Sequence, residues 1–223
     1  MSKDGIVIPP HTEFSFNAYL GEVLDATGYE ESYIIQGNRT QVGIGGGVCQ
    51  VSTTLFRAAF FAGFEITERY AHGYRVSYYE PPVGMDATIF SPYVDFKFRN
   101  DTDNYYLLER ELDLTAKRLR FIFYGPDTGR SVEMVGPQII EVIPHGEPIY
   151  EEDPSLPAGV VKQVDWARDG AKVKVERLVR DKATGEVIRH DVFWSNYRPW
   201  VARYLVGIGP ASETVTPEGE GER

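Results

Sequence analysis

The sequence predicts an α+β chain: an N-terminal domain with one main helix packed on an antiparallel sheet, then a small elongated all-β module. Three observations carry this. Residues 48–62 hold the one long run at helical spacing, with Val48, Val51, Leu55, Ala58, Ala59 and Ala62 recurring every three or four positions. From Ala87 to Tyr124 the pattern alternates instead, in the runs Val94, Phe96, Phe98, then Tyr105, Leu107, then Leu119, Phe121, Phe123. Gly125-Pro126-Asp127-Thr128-Gly129 breaks that pattern, and prolines and further alternating runs follow it. The expected division is a first domain over 1–126, a linker over 127–137, a β-module over 138–210 and a disordered tail over 211–223.

Taken in order, Ile6-Val7-Ile8 and Phe14-Ser15-Phe16 read as two short strands around Pro9-Pro10. Asn17–Leu24 reads as a brief helix or an irregular segment, and Ser32–Gln36 as a strand before a Gly37-Asn38 turn. Gly43, Gly45, Gly46 and Gly47 then form a loop, because a glycine run is entropically costly in a helix or strand. Gly63 stands where a glycine stops a helix. Strands follow at Glu65–Tyr70 and Tyr74–Tyr79, a turn at Pro81-Pro82-Val83-Gly84, and the alternating runs above, with turns at Asn100–Asn104 and Thr115-Ala116-Lys117. Later strands are expected at Val160–Val164, Lys172–Val179 and Val187–Trp194.

Cys49, the only cysteine, falls in the first turn of the main helix. Unpaired amides and the positive end of the helix dipole favour a thiolate there. Downstream come His72 and Asp86 on neighbouring strands, a nucleophile–base–orienter order. In this reading Asp86 orients His72, and His72 deprotonates Cys49. Gly46, Gly47, Gln50, Tyr74 and Tyr78 are the candidate substrate contacts, with Tyr79 also expected to line a groove. The only oxyanion donor the sequence identifies is the Cys49 amide. The bland reading stands beside this one: a lone cysteine is commonly a small buried hydrophobe, and His72 is then structural. Asp95 is a competing carboxylate, less well placed in the order of the chain.

Other candidates are weaker. Asp101 and Asp103 suit calcium less well than a solvated turn, and His145 and His190 are too scattered for a metal site. Arg39 beside the glycine loop reads as solvated before it reads as a carboxylate receptor. Trp166, Trp194, Tyr197 and Trp200 are candidates for stacking on sugar rings, or for the core of the second module. No cofactor and no metal is assigned.

Lys and Arg total 23 against 33 Asp and Glu, a net charge of -10, which argues against nucleic acid, anionic lipid or teichoic acid as a bulk electrostatic partner. One cysteine excludes an internal disulfide framework. No apolar run reaches transmembrane length and no signal segment is evident, which leaves a cytosolic protein or a fragment of an exported one. The Met1-Ser2-Lys3-Asp4 start, with no opening strand or cap, reads as that of a fragment.

The order helix-borne Cys49, His72, Asp86 resembles the transglutaminase-like superfamily, which implies a transglutaminase-like or papain-like arrangement; Tyr74 fits that pattern loosely and Ala87 replaces its usual proline. Over residues 5–125 a more specific resemblance appears. Val7-Ile8-Pro9-Pro10-His11-Thr12-Glu13-Phe14-Ser15-Phe16-Asn17, Gly28-Tyr29, Gly45–Phe56 with its glycine–cysteine block, Glu68-Arg69, His72, Gly84-Met85-Asp86-Ala87-Thr88 and Asp95–Thr102 resemble the VanW-like family. That implies a bacterial envelope protein, extracellular and belonging to a membrane-anchored whole, with the membrane reached only through a segment outside this chain. It implies no defined activity. Residues 138–210, with Pro154–Gly159, Lys182–Glu186 and Leu205–Gly209, resemble the G-five domain, which implies binding to cell-wall sugars. Two function classes follow: a Cys–His–Asp amide hydrolase or acyltransferase acting on wall peptides of peptidoglycan, or a non-catalytic module that binds the wall.

Overall fold

In the computed structural model, residues 5–23, 26, 29, 31–36 and 39–210 are described. Gly28, the Gly37-Asn38 turn, the opening Met1–Asp4 and the tail 211–223 lie outside the described residues. The chain is mostly strand, with one main helix, α2 (Val48–Ala62), and a short α1 (Phe16–Leu20). Among the described residues, no helix is long and apolar enough to cross a membrane.

Strands β1 (Ile6–Ile8) and β2 (Glu13–Ser15) feed two different sheets. The first has the order β1–β7–β8, with β7 at Tyr106–Asp113 and β8 at Arg118–Tyr124. The second has the order β2–β6–β5, with β5 at Glu65–Glu68 and β6 at Lys97–Arg99. Asn100–Asn104 is therefore a crossing between sheets, not a hairpin turn. Asn100 holds it by donating to the carbonyls of Ile8, Pro9 and Asn104. Thr115-Ala116-Lys117 does close the β7–β8 hairpin. On β7 the buried residues are Tyr106 and Leu108, one position out of phase with the expected Tyr105 and Leu107. Tyr106 wins because its ring packs edge-on to Phe64 and its hydroxyl donates to the Pro126 carbonyl.

A hairpin of β3 (Glu31–Gln36) and β4 (Arg39–Ile44) leads into the glycine loop. Gly43 and Ile44 thus belong to a strand, and the loop proper begins at Gly45. Gly47 caps α2 in the left-handed region at φ 95°, and Gly63 closes it at φ 79°, both conformations that disfavour a side chain. One face of α2, with Leu55, Phe56, Ala59 and Phe60, is fully buried. The expected strand Tyr74–Tyr79 is not formed. Tyr74 makes a single bridge to Arg198, and Ser77–Tyr79 is a 3-10 turn.

Every described element after Tyr124 is a strand: β9 (Arg130–Ile143), β10 (Ile149–Pro157), β11 (Val161–Asp165), β12 (Gly170–Asp181), β13 (Val187–Tyr197) and β14 (Arg203–Gly209). They form sheets of order β13–β12–β9 and β10–β14–β11. Two expectations are corrected here. Most of the expected 127–137 linker is strand, because β9 pairs along β12 from Arg130 to Ile143. The apolar core also does not stop near residue 125. Ala171, Val173, Val175 and Tyr197 belong to the same cluster as Phe56, Phe60 and Met85. The ring of Phe193 packs 5.9 Å from Phe56 and 5.5 Å from Phe60.

Charge joins the halves as well. The last carbonyls of α2 lack helical partners, and the helix supplies no basic residue of its own to meet them. Arg177 of β12, fully buried, donates to the carbonyls of Phe60 and Phe64 at 2.9 Å each while paired with Asp191. Arg130 and Arg189 both reach the Gly63 carbonyl and share Asp101.

Candidate active site

Cys49 is the second residue of α2 and is half-buried. Ser52 and Thr53, one turn on, fix what the sulfur faces. The Ser52 hydroxyl donates to the Ala87 carbonyl, and Thr53 exchanges hydrogen bonds with both backbone groups of Ala87. This clamp lays residues 86–89 along the first turns of the helix. The sulfur then lies 3.6 Å from Thr88 Oγ1 and 3.7 Å from the Ile89 carbonyl.

His72 and Asp86 are on irregular segments flanking the single Tyr70–Thr88 bridge, not on the expected regular strands. One carboxylate oxygen of Asp86 accepts twice from His72, from its backbone N–H at 2.8 Å and from ring Nδ1 at 2.6 Å. The other accepts from Arg69 Nη2 at 3.2 Å and from the Tyr197 hydroxyl. Four donors therefore converge on one carboxylate whose side chain is 5% exposed. The ring of His72 is stacked at 4.9 Å on Tyr79, which limits its rotation, and with Nδ1 committed to Asp86 the uncommitted ring nitrogen is Nε2.

The electrostatics follow from this packing. Burial disfavours the Asp86 carboxylate, but the His72 bonds and the Arg69 charge outweigh it and hold the pKa down to about 2. Burial likewise opposes a charged His72, yet the bond to Asp86 and the interaction with Cys49 raise it to about 9. For Cys49, burial raises the pKa, while a hydrogen bond from His72, the Ile89 backbone and the His72 charge bring it below the ordinary thiol value. Both members of the pair shift toward imidazolium and thiolate.

This predicts an acid limb in stability. Asp86 is an ordinary carboxylate when unfolded, so its contribution of about 2 kcal/mol is present above roughly pH 4 and lost as pH falls toward 2. The raised pKa of His72 alone would contribute below about pH 6.5 and be lost as pH rises through about 9. The lowered pKa of Cys49 has the opposite slope and offsets part of that loss. Thermal melts of Asp86→Asn should show a shallower acid limb; an unchanged slope would mean the carboxylate carries no such shift.

Sequence reasoning missed Arg69 and Tyr197. Arg69 binds the Gly84 and Trp194 carbonyls and Ser195 besides Asp86, and its side chain is 3% exposed. Its signals were its place three residues before His72 and its presence in the Glu68-Arg69 pair of the VanW-like resemblance. Tyr197 reaches Asp86 across 111 positions of chain, and no local pattern marks that.

The remaining candidates separate. Gly46 and Gly47 line a groove. Gln50 is exposed on the first turn of α2. Tyr78 is exposed, whereas Tyr74 and Tyr79 are each only 7% exposed. Tyr74 does not line a groove: it packs edge-on to Trp200 at 4.4 Å and under Arg198. Asp95 is drawn away to Ser15 and the Asn17 amide, so it does not compete for His72. Asp101 is paired with Arg130 and Arg189, Asp103 with His11, and His190 with Glu176. His145 stands at the surface beside Gly146. The amides of Val48, Gln50 and Val51 bond back to Gly45 and Gly47; that of Cys49, the expected oxyanion donor, is not among them.

Residues 2–124, which contain the whole cysteine–histidine–aspartate cluster, match the family model described as VanW like protein. The chain belongs to the VanW-like family. It is similar to the uncharacterized protein YoaR of Bacillus subtilis, at 42% identity over 97 residues, or 44% of this chain and 31% of that one. It is also similar to the vancomycin B-type resistance protein VanW of Enterococcus faecalis, at 27% identity over 197 residues, or 86% of this chain and 63% of that protein. The chain thus spans about a third of the first relative and somewhat under two thirds of the second.

Proposed function

We propose that this chain is a bacterial cell-envelope protein, exported to the cell surface, whose Cys49 attacks an amide of a peptidoglycan peptide. His72 is the base and Asp86 its orienter, and the reaction is hydrolysis or acyl transfer. The observation that carries this reading is the four-donor cradle of Asp86. A merely structural histidine does not need its second nitrogen kept free toward a half-buried thiol. In the proposed step the thiolate adds to the carbonyl, the imidazolium gives its proton to the departing amine, and water or a second amine later releases the acyl group. The partly transglutaminase-like order of the three residues agrees with this chemistry. Incubation with soluble wall peptides should give an acyl adduct on Cys49 by intact mass, trapped most clearly when acid-quenched. Absence of both adduct and amide cleavage, with Cys49 reacting as an ordinary thiol, would return the site to a structural role.

The second half favours a wall-contact role alongside the chemistry, as its resemblance to the G-five domain implies. Trp166 is 69% exposed and Trp194 45% exposed, so neither serves as core. Aromatic faces left in water suit stacking on sugar rings. Trp166→Ala is expected to cut co-sedimentation with purified peptidoglycan several-fold without changing the melting temperature; equal sedimentation would remove Trp166 from that surface.

A further inference from the structure

A groove of about 740 Å³ opens between α1, the glycine loop, the first turns of α2 and the β7–β8 hairpin. That volume is in the range of small-ligand sites. Its described walls are almost wholly apolar, with Phe16, Val48, Val51, Leu119 and Phe121 among them, and Arg110 is the one charged residue they include. Arg110 faces Phe121 across the hairpin, and its Nε is buried without a hydrogen-bond partner. Arg203 shares a buried Nε without a hydrogen-bond partner, but its guanidinium pairs with Glu151, just as those of Arg57, Arg69 and Arg177 donate to acceptors of this chain. Arg110 itself is part-buried, and a nitrogen kept from water without a partner carries a desolvation cost that a carboxylate held by the same guanidinium would offset in part. Gly46 and Gly47 lie on the wall, and a Cβ at Gly47 would meet nothing within 4 Å, so this part of the wall is open. Val48, also on the wall, immediately precedes Cys49.

We propose that this groove binds the portion of the amide substrate that carries an apolar side chain and a carboxylate. The carboxylate pairs with Arg110, the side chain lies against Phe16 and Phe121, and the backbone leaves over Gly46 and Gly47 toward the sulfur. The inference rests on Cys49 being the nucleophile, and the test separates the two.

N-iodoacetyl peptides ending in leucine, with no, one or two glycine spacers, are compared with the same peptides ending in leucine amide. Iodoacetamide, too small to use the groove, is run in parallel. At the best spacer length the free acid should label Cys49 about tenfold faster than the amide and show saturation. Arg110→Gln should bring the two to one rate while leaving iodoacetamide unaffected. Leu112→Glu alters a half-exposed lining residue and supplies a competing carboxylate, so it should do the same without risk to the core. Equal rates for acid and amide at every spacer length, with fast iodoacetamide labelling, would overturn the groove assignment alone. Slow labelling by iodoacetamide itself would overturn the nucleophile, and the groove assignment with it.

Discussion

Alkylation of Cys49 by iodoacetamide at pH 7 is expected to slow by about tenfold or more when His72 is replaced by alanine. Burial by itself pushes the thiol pKa up, and His72 is the first of the groups that reverse this. Its removal leaves only the Ile89 backbone and Thr88 to oppose burial, the largest single influence on the thiol. The wild-type rate should rise at a pH well below the ordinary thiol range, and that of His72→Ala only above it. The variant opens space beside the sulfur, so a purely steric effect would speed the reaction. The sign of the change therefore discriminates. Identical pH profiles for the two proteins would mean that the ring and the sulfur do not share a proton.

The second large effect is on stability. Arg177→Ala should cost about 3–5 kcal/mol, because it leaves Asp191 without its partner, removes the guanidinium donor of the Phe64 carbonyl, and leaves the Phe60 carbonyl only the Gly63 amide. Its guanidinium also lies over the rings of Phe60 and Phe193, at 5.0 and 5.7 Å, so packing is lost as well. The melting temperature should fall by roughly 10 °C. Asp191→Asn should lose less, since that side chain is 24% exposed and water can replace part of the interaction. A loss under about 1 kcal/mol for Arg177→Ala would show that the helix end is satisfied by other means. For the same reason residues 1–126 alone are not expected to melt cooperatively, against the independence that the proline-rich sequence after Gly125 implies.

What was legible in the sequence is what local pattern encodes. The glycine-to-amphipathic switch located α2 and put Cys49 in its first turn, and alternation located β8, β12 and β13. Of the order Cys49, His72, Asp86, the last two hydrogen-bond directly, and the sulfur lies against Thr88 and Ile89, just after Asp86. The misreadings have a common cause, since each depends on contacts distant in sequence. Tyr74 follows His72 by two positions and looked like a wall of the cleft, but Trp200 and Arg198 claim its ring. Tyr197 reads locally as core or a sugar platform; its ring is core, 3% exposed, and its hydroxyl is in addition committed to Asp86, which no local pattern marks. The turn chemistry around Gly125 is real, since the Asp127 carboxylate accepts from the Gly129 amide. A turn marks a change of direction, however, and the core continues past this one.

The family match ends at residue 124, yet the hydroxyl on Asp86 comes from position 197 and the cations on the far end of α2 from 130, 177 and 189. The segment that the family model matches and the unit that sets the chemistry are thus of different size. Any protein carrying the first without the second must find another hydroxyl for the carboxylate and other positive charge for the helix. Grafting the matched segment between relatives would transfer the sulfur and the imidazole but not the environment that tunes them. A hybrid of that kind should fold, if at all, with a cysteine of ordinary reactivity.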